Sequence, residues 1–113
     1  MSGVKVTLNG AERLSADLAK AATLNHARSV VKKHTADLVQ KAQEHAPVDT
    51  GFLKRSIRVK EFRDGGLTGV VAPHTDYAAY VELGTRFQSP KPYLRPAHEE
   101  VKDPFLKALG RLM

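Results

Sequence analysis

The chain has 113 residues, 42% hydrophobic and 27% charged, with eight glycines, six prolines and no cysteine. That length supports one domain around one core and excludes a large multidomain enzyme, while the lack of cysteine excludes disulfides, a thiol nucleophile and Cys-ligated metal sites. Eighteen Lys and Arg against twelve Asp and Glu leave a net charge of +6, which suits a polyanionic partner only if the charges cluster.

At the amino terminus, Val4, Val6 and Leu8 alternate with Lys5 and Thr7, the period of a half-buried strand, and Asn9-Gly10 closes it as a turn. This alternation is unlike a signal peptide, and no run nears the roughly 18 apolar residues of a membrane span, so the expectation is a soluble protein of a reducing compartment with no membrane partner. From Ala11 to Ala46 the apolar period becomes helical, with Leu14, Leu18, Ala27, Val31, His34, Leu38, Ala42 and His45 at three- and four-residue steps. Thr23 or Asn25 could cap a second helix, which predicts a short helix near 11–22 and a long one near 26–46. Lys33, Asp37 and Lys41 are spaced for ion pairs on its outer surface. Pro47 stops it.

Asp49-Thr50-Gly51 offers capping side chains and a turn, with Phe52 and Leu53 as anchors of a short helical turn. Ile57, Val59 and Phe62 lead into Asp64-Gly65-Gly66, and Leu67, Val70 and Val71 follow up to Pro73, which reads as a hairpin with Phe52 and Phe62 in the core. Tyr77, Tyr80 and Val81 precede Gly84 at helical spacing, a helix of about two turns. Three prolines between Ser89 and Pro96 predict an extended segment. Pro96 is expected to open a last helix with Glu99 and Glu100 in its first turn. Pro104 is expected to interrupt it, unless Asp103 caps a restarted segment in which Phe105, Leu106 and Leu109 pack inward. The fold class is α+β, a small antiparallel sheet of three to four strands packed against a long helix and a C-terminal helix.

The positive charge is local. Residues 54–63 carry Lys54, Arg55, Arg58, Lys60 and Arg63 with Glu61, a net of +4, and residues 86–95 add Arg86, Lys91 and Arg95, while the remainder of the chain sums to −1. Such a strand is either the solvent side of an amphipathic element or a surface facing polyanion or an acidic partner. No aromatic ladder for stacking single-stranded bases accompanies it.

Catalytic constellations are weak. The five histidines show no HExxH spacing, His74 and Asp76 lack a nucleophile motif, and neither a Walker A nor a GxGxxG sequence occurs. The reading is a non-enzyme without cofactor or metal. The stiff proline arm with Tyr93, Leu94 and Arg95 loses little entropy on ordering and carries residue types enriched in binding hot spots. It reads either as a docking element or as a tie between the last helix and the sheet.

Three segments carry a resemblance: Ala46–Ile57, Tyr77–Thr85 and Pro92–Ala97. In order and spacing, from about Asn25 to the carboxyl terminus, they resemble the small tail-component proteins of long-tailed double-stranded DNA phages and prophages, the head-tail joining or tail-completion proteins of the neck. Pro104 departs from that family's uninterrupted last helix. The resemblance implies an α+β fold, no catalysis and a homo-oligomeric ring of six in the virion neck, assembled in the host cytoplasm. One ring face would meet the major tail tube protein and the other the head-tail connector or stopper, with DNA passing through the lumen without sequence recognition. Asp49, Thr50, Tyr80, Glu82, Arg86, Pro92, Tyr93, Leu94 and Arg95 are then candidate subunit or partner contacts. Lys54, Arg55, Arg58, Lys60 and Arg63 would face the lumen or an acidic partner. The alternatives are a connector stopper and a small basic DNA-binding protein.

Overall fold

A computed structural model describes residues 4–10, 21–47 and 51–111. The elements in chain order are β1 (Val6–Asn9), α1 (Ala21–His45), α2 (Phe52–Ser56), β2 (Arg58–Arg63), β3 (Thr68–Ala72), α3 (Ala78–Leu83) and α4 (Leu94–Gly110). The strands form one antiparallel sheet in the order β1-β3-β2. The fold is thus α+β, a three-stranded sheet with a long helix and a C-terminal helix.

The central strand explains the packing. Val6 pairs with Val71 and Leu8 with Gly69, so these side chains share the face that meets α1. A Cβ on Gly69 would collide with Thr35 of α1, so glycine at this point lets the helix lie close against the sheet. Thr35 is buried and donates its hydroxyl to the Val31 carbonyl at 2.6 Å.

From Ala21 to His45, α1 runs unbroken, so the expected restart at Thr23 or Asn25 does not occur. Asn25 is a tether instead of a cap. Its Oδ1 accepts from Arg28 at 2.9 Å, and Arg28 Nε donates to the Gly65 carbonyl at 2.6 Å, tying the helix to the hairpin turn. The short helix expected near 11–22 lies largely outside the described residues. Ala27, Val31, Leu38 and Ala42 are fully buried along one stripe, and Ala46 continues it. His45 sits at the rim and bonds Glu100 at 2.8 Å. Lys33 pairs with Asp37 as expected, but Lys41 pairs with Glu44 rather than Asp37.

The second helical layer is α4, which buries Leu94, Ala97, Val101, Phe105 and Leu109 at helical spacing. It runs antiparallel to α1, because His34 stacks near Phe105 at 5.6 Å while His45 reaches Glu100. Each large side chain in this seam contributes roughly 1.5–3 kcal/mol by burial. The helix is continuous through Pro104, contrary to the expected interruption. Pro104 is exposed, so the carbonyl it leaves without an N–H partner lies on the solvent side. The helix also begins at Leu94 rather than Pro96, which moves Glu99 and Glu100 out of the first turn.

Phe52 and Phe62 are not core residues: they are 56% and 45% exposed. Lys60 is the extra residue of a β-bulge between Val59 and Glu61. Past it, Phe62 of edge strand β2 pairs with Gly69 of the central β3 and lines a shallow hollow with Arg28, Lys32 and Gly66.

Candidate functional site

The docking candidate is built from α3 and the segment that follows. No side chain adjacent in sequence caps α4. Glu82 of α3 does so from a distance: Oε1 accepts the backbone N–H groups of Tyr93 and Leu94 at 2.9 and 2.8 Å, and Oε2 accepts that of Arg95 at 3.2 Å. A carboxylate at a helix start matches both the orphan donors and the helix dipole. Tyr93 is fully buried, and its hydroxyl donates to the Ala78 carbonyl at 3.2 Å. Burial pushes the Tyr93 phenol well up, and the Glu82 charge adds to the shift, so the ring stays protonated. Lys91 N–H bonds the Val81 carbonyl at 2.8 Å. The arm is therefore clamped to α3.

Between the clamps the chain makes a tight turn. Thr85 N–H bonds the Gln88 carbonyl at 2.9 Å and the Thr85 hydroxyl accepts from Phe87 N–H at 3.2 Å. Arg86 lies over the Phe87 ring at 4.8 Å, a cation–π contact at the tip. Gly84 has φ +78 and ψ 173, a conformation open almost only to glycine, and a Cβ there would meet Pro90 at 2.8 Å. The result is an outward apolar display: Tyr80, Leu83 and Phe87 are 61%, 71% and 84% exposed.

These positions revise the sequence expectations. Glu82, Tyr93 and Leu94, expected at a docking surface, lie buried inside the subunit, where they fix the start of α4. Tyr80, Arg86, Pro92 and Arg95 are exposed, while Asp49 and Thr50 lie outside the described residues. Leu83 and Phe87, not singled out from the sequence, are the most exposed apolar side chains described. Their signal was an apolar residue just before Gly84 and another inside a four-residue turn, where no core can reach.

The basic strand forms a second surface. Arg58, Lys60 and Arg63 on β2 are exposed, as are Lys54 and Arg55, which lie on α2 rather than on the strand. Arg63 is engaged by Glu61, whose carboxyl is held below its ordinary range by that hydrogen bond first, with Lys60 and Lys5 adding their charge. Of the histidines, His34 Nδ1 bonds the Val30 carbonyl at 2.8 Å and His74 Nδ1 the Ser56 carbonyl at 2.9 Å. Among the described residues no group of three or more His, Asp or Glu is placed to hold a metal, and no helix is long and apolar enough to cross a membrane.

A clamped arm, an exposed apolar tip and a basic strand are the surfaces that the described residues present. Residues 11–84 match the family described as HK97-gp10-like, "Bacteriophage HK97-gp10, putative tail-component". The chain belongs to this family, whose members are structural components of phage tails that contact other phage structural proteins, which places the chain in the virion tail. The match takes in the first motif read from the sequence and all but Thr85 of the second; the third, Pro92–Ala97, lies beyond it. No curated protein and no solved structure matches the chain.

Proposed function

We propose that this tail component is a head-tail joining, or tail-completion, protein: a subunit of a ring of six at the head-proximal end of the tail tube, assembled in the host cytoplasm. One face of the ring meets the tail tube protein and the other the capsid connector or stopper. The observation that carries the reading is the outward placement by a clamped arm of Tyr80, Leu83 and Phe87, the three most exposed large apolar side chains among the described residues. An exposed apolar tip on one surface, received by a different surface of the next copy, makes a heterologous contact, which generates a ring when the rotation between copies closes. The basic residues Lys54, Arg55, Arg58, Lys60 and Arg63 then repeat around the axis and face either DNA in the lumen or an acidic neighbour.

The test is assembly. Wild-type chain mixed with its tail tube protein forms a ring visible by electron microscopy, with Arg55, Arg58 and Lys60 inside or at a subunit boundary. Those residues on the outer rim, or a chain that stays monomeric and binds DNA in a salt-sensitive manner, would instead favour a basic DNA-binding protein.

A further inference from the structure

On the solvent side of the seam between α1 and α4, a groove of about 170 Å3 is lined by His34, Asp37 and Gln40 of α1 and by Glu100 and Pro104 of α4, among others. Three of these residues offer acceptors. Asp37 and Glu100 each use one oxygen inside the subunit, Oδ2 toward Lys33 at 3.1 Å and Oε1 toward His45 at 2.8 Å, and the other oxygen of each has no partner among the described residues. His34 is only 6% exposed and donates from Nδ1 to the Val30 carbonyl at 2.8 Å, which leaves Nε2 as the acceptor. Among the described residues, the buried side-chain atom both unpaired and sealed from solvent is Thr75 Oγ1; His34 Nε2, unpaired as well, therefore keeps access to the groove. Lys41, the one ammonium in the groove, is held by Glu44 at 3.5 Å.

The three acceptors sit on two helices and are not grouped to hold a metal ion. Such a spread suits a planar donor fork rather than a point charge, which is a guanidinium with its five N–H groups. Charge points the same way. The groove has two carboxylates to one ammonium, whereas the hollows lined by Arg55 with Arg58 and by Arg28 with Lys32 have no carboxylate. The chain itself displays such a ligand: Arg86 stands exposed at the tip, without a carboxylate partner among the described residues. Its guanidinium lies over the Phe87 ring, which leaves the in-plane N–H groups free to donate. The arm is fastened at the start of α4, roughly 9–15 Å along the helix from Glu100 and Pro104, and Arg86 is exposed, so the tip does not fill the groove of its own subunit.

We infer that the groove receives Arg86 of a second copy, the guanidinium bridging Asp37 and Glu100 and donating to His34 Nε2, with Phe87 beside the exposed Pro104. Because the charge is local, two copies attract through these faces although each carries +6. The inference rests on the ring reading in taking a second copy as the partner, and it names the surface that receives the tip.

Photo-crosslinking of the full-length chain in the presence of its tail tube protein tests it. The chain has no cysteine, so Gln40→Cys at the groove rim takes a thiol-linked benzophenone at one position. With isotope-labelled and unlabelled copies mixed, mass spectrometry finds the label joined to the 85–88 segment of the other copy. Arg86→Glu lowers that yield by about tenfold or more, because it sets like charges against each other. Adding Glu100→Arg to Arg86→Glu restores the yield to within about threefold by reversing both charges. Lys102→Glu, which adds a negative charge on another side of α4, changes it less than about twofold. Circular dichroism confirms that each variant is folded. Wild-type yield in Arg86→Glu, no recovery in the folded double variant, or a label joined to the tail tube protein instead of the tip would overturn the inference. Sedimentation, scored separately, reports on the ring: a ring of six without the tip product sinks this inference alone, and the tip product without a ring sinks the ring reading alone.

Discussion

Glu82 in α3 caps the helix that begins at Leu94, with carboxylate oxygens 2.9, 2.8 and 3.2 Å from the N–H groups of Tyr93, Leu94 and Arg95. One buried charge thus joins the element that displays Tyr80 and Leu83 to the helix that completes the core. Glu82→Ala orphans three donors at once and lowers stability by roughly 2–4 kcal/mol. Glu82→Gln keeps one acceptor oxygen and costs about half as much. Urea denaturation of both variants measures the difference.

Tyr93 gives a pH prediction. Its phenol is raised by burial in the folded state, and a raised group contributes stability that is present below the unfolded value and lost as pH climbs toward the folded one. The chain therefore loses stability above about pH 10, where an unfolded tyrosine ionises and Tyr93 does not. Tyr93→Phe removes that alkaline slope and costs about 1 kcal/mol at neutral pH through the bond lost to Ala78. Melting curves across alkaline pH, wild type against variant, decide it.

Two backbone positions carry opposite predictions. Gly84→Ala forces a side chain into a glycine-only conformation and against Pro90, for a loss of roughly 2–4 kcal/mol. Pro104→Ala restores a hydrogen-bond donor to the exposed side of α4 and raises stability by about 1–2 kcal/mol, less than the full proline penalty because the variant's unfolded chain is freer. Thermal unfolding resolves both signs.

Leu83 and Phe87 are exposed in the subunit, so Leu83→Ser and Phe87→Ser leave monomer stability within about 0.5 kcal/mol of wild type. The same variants lose assembly with the tail tube protein. Stability from denaturation and assembly from sedimentation separate the two effects.

The α+β class, the hairpin at Asp64-Gly65-Gly66 and the apolar stripes of α1 and α4 were legible in the sequence, because period and turn chemistry are local signals. Phe62 misled because its apolar character does not show how far its strand lies from the helix: the bulge at Lys60 returns Phe62 to the face of Val59, but β2 is a sheet edge and the ring stays 45% exposed. Pro104 misled because its cost depends on which side of the helix it occupies. The site was half legible. Of the candidate contacts, Tyr80, Arg86, Pro92 and Arg95 lie on the surface, but Glu82, Tyr93 and Leu94 turn inward, since a carboxylate twelve residues before a helix start gives no sequence sign that it will cap that helix.

Sedimentation of the full-length chain with its tail tube protein tests the central claim most directly. The account predicts a closed species six times the 12.4 kDa subunit mass, formed by wild type and abolished by Phe87→Ser, with weak or no DNA retention by the monomer. A chain that remains a monomer with its tail partner present, or a ring that forms equally well from Phe87→Ser, would contradict it.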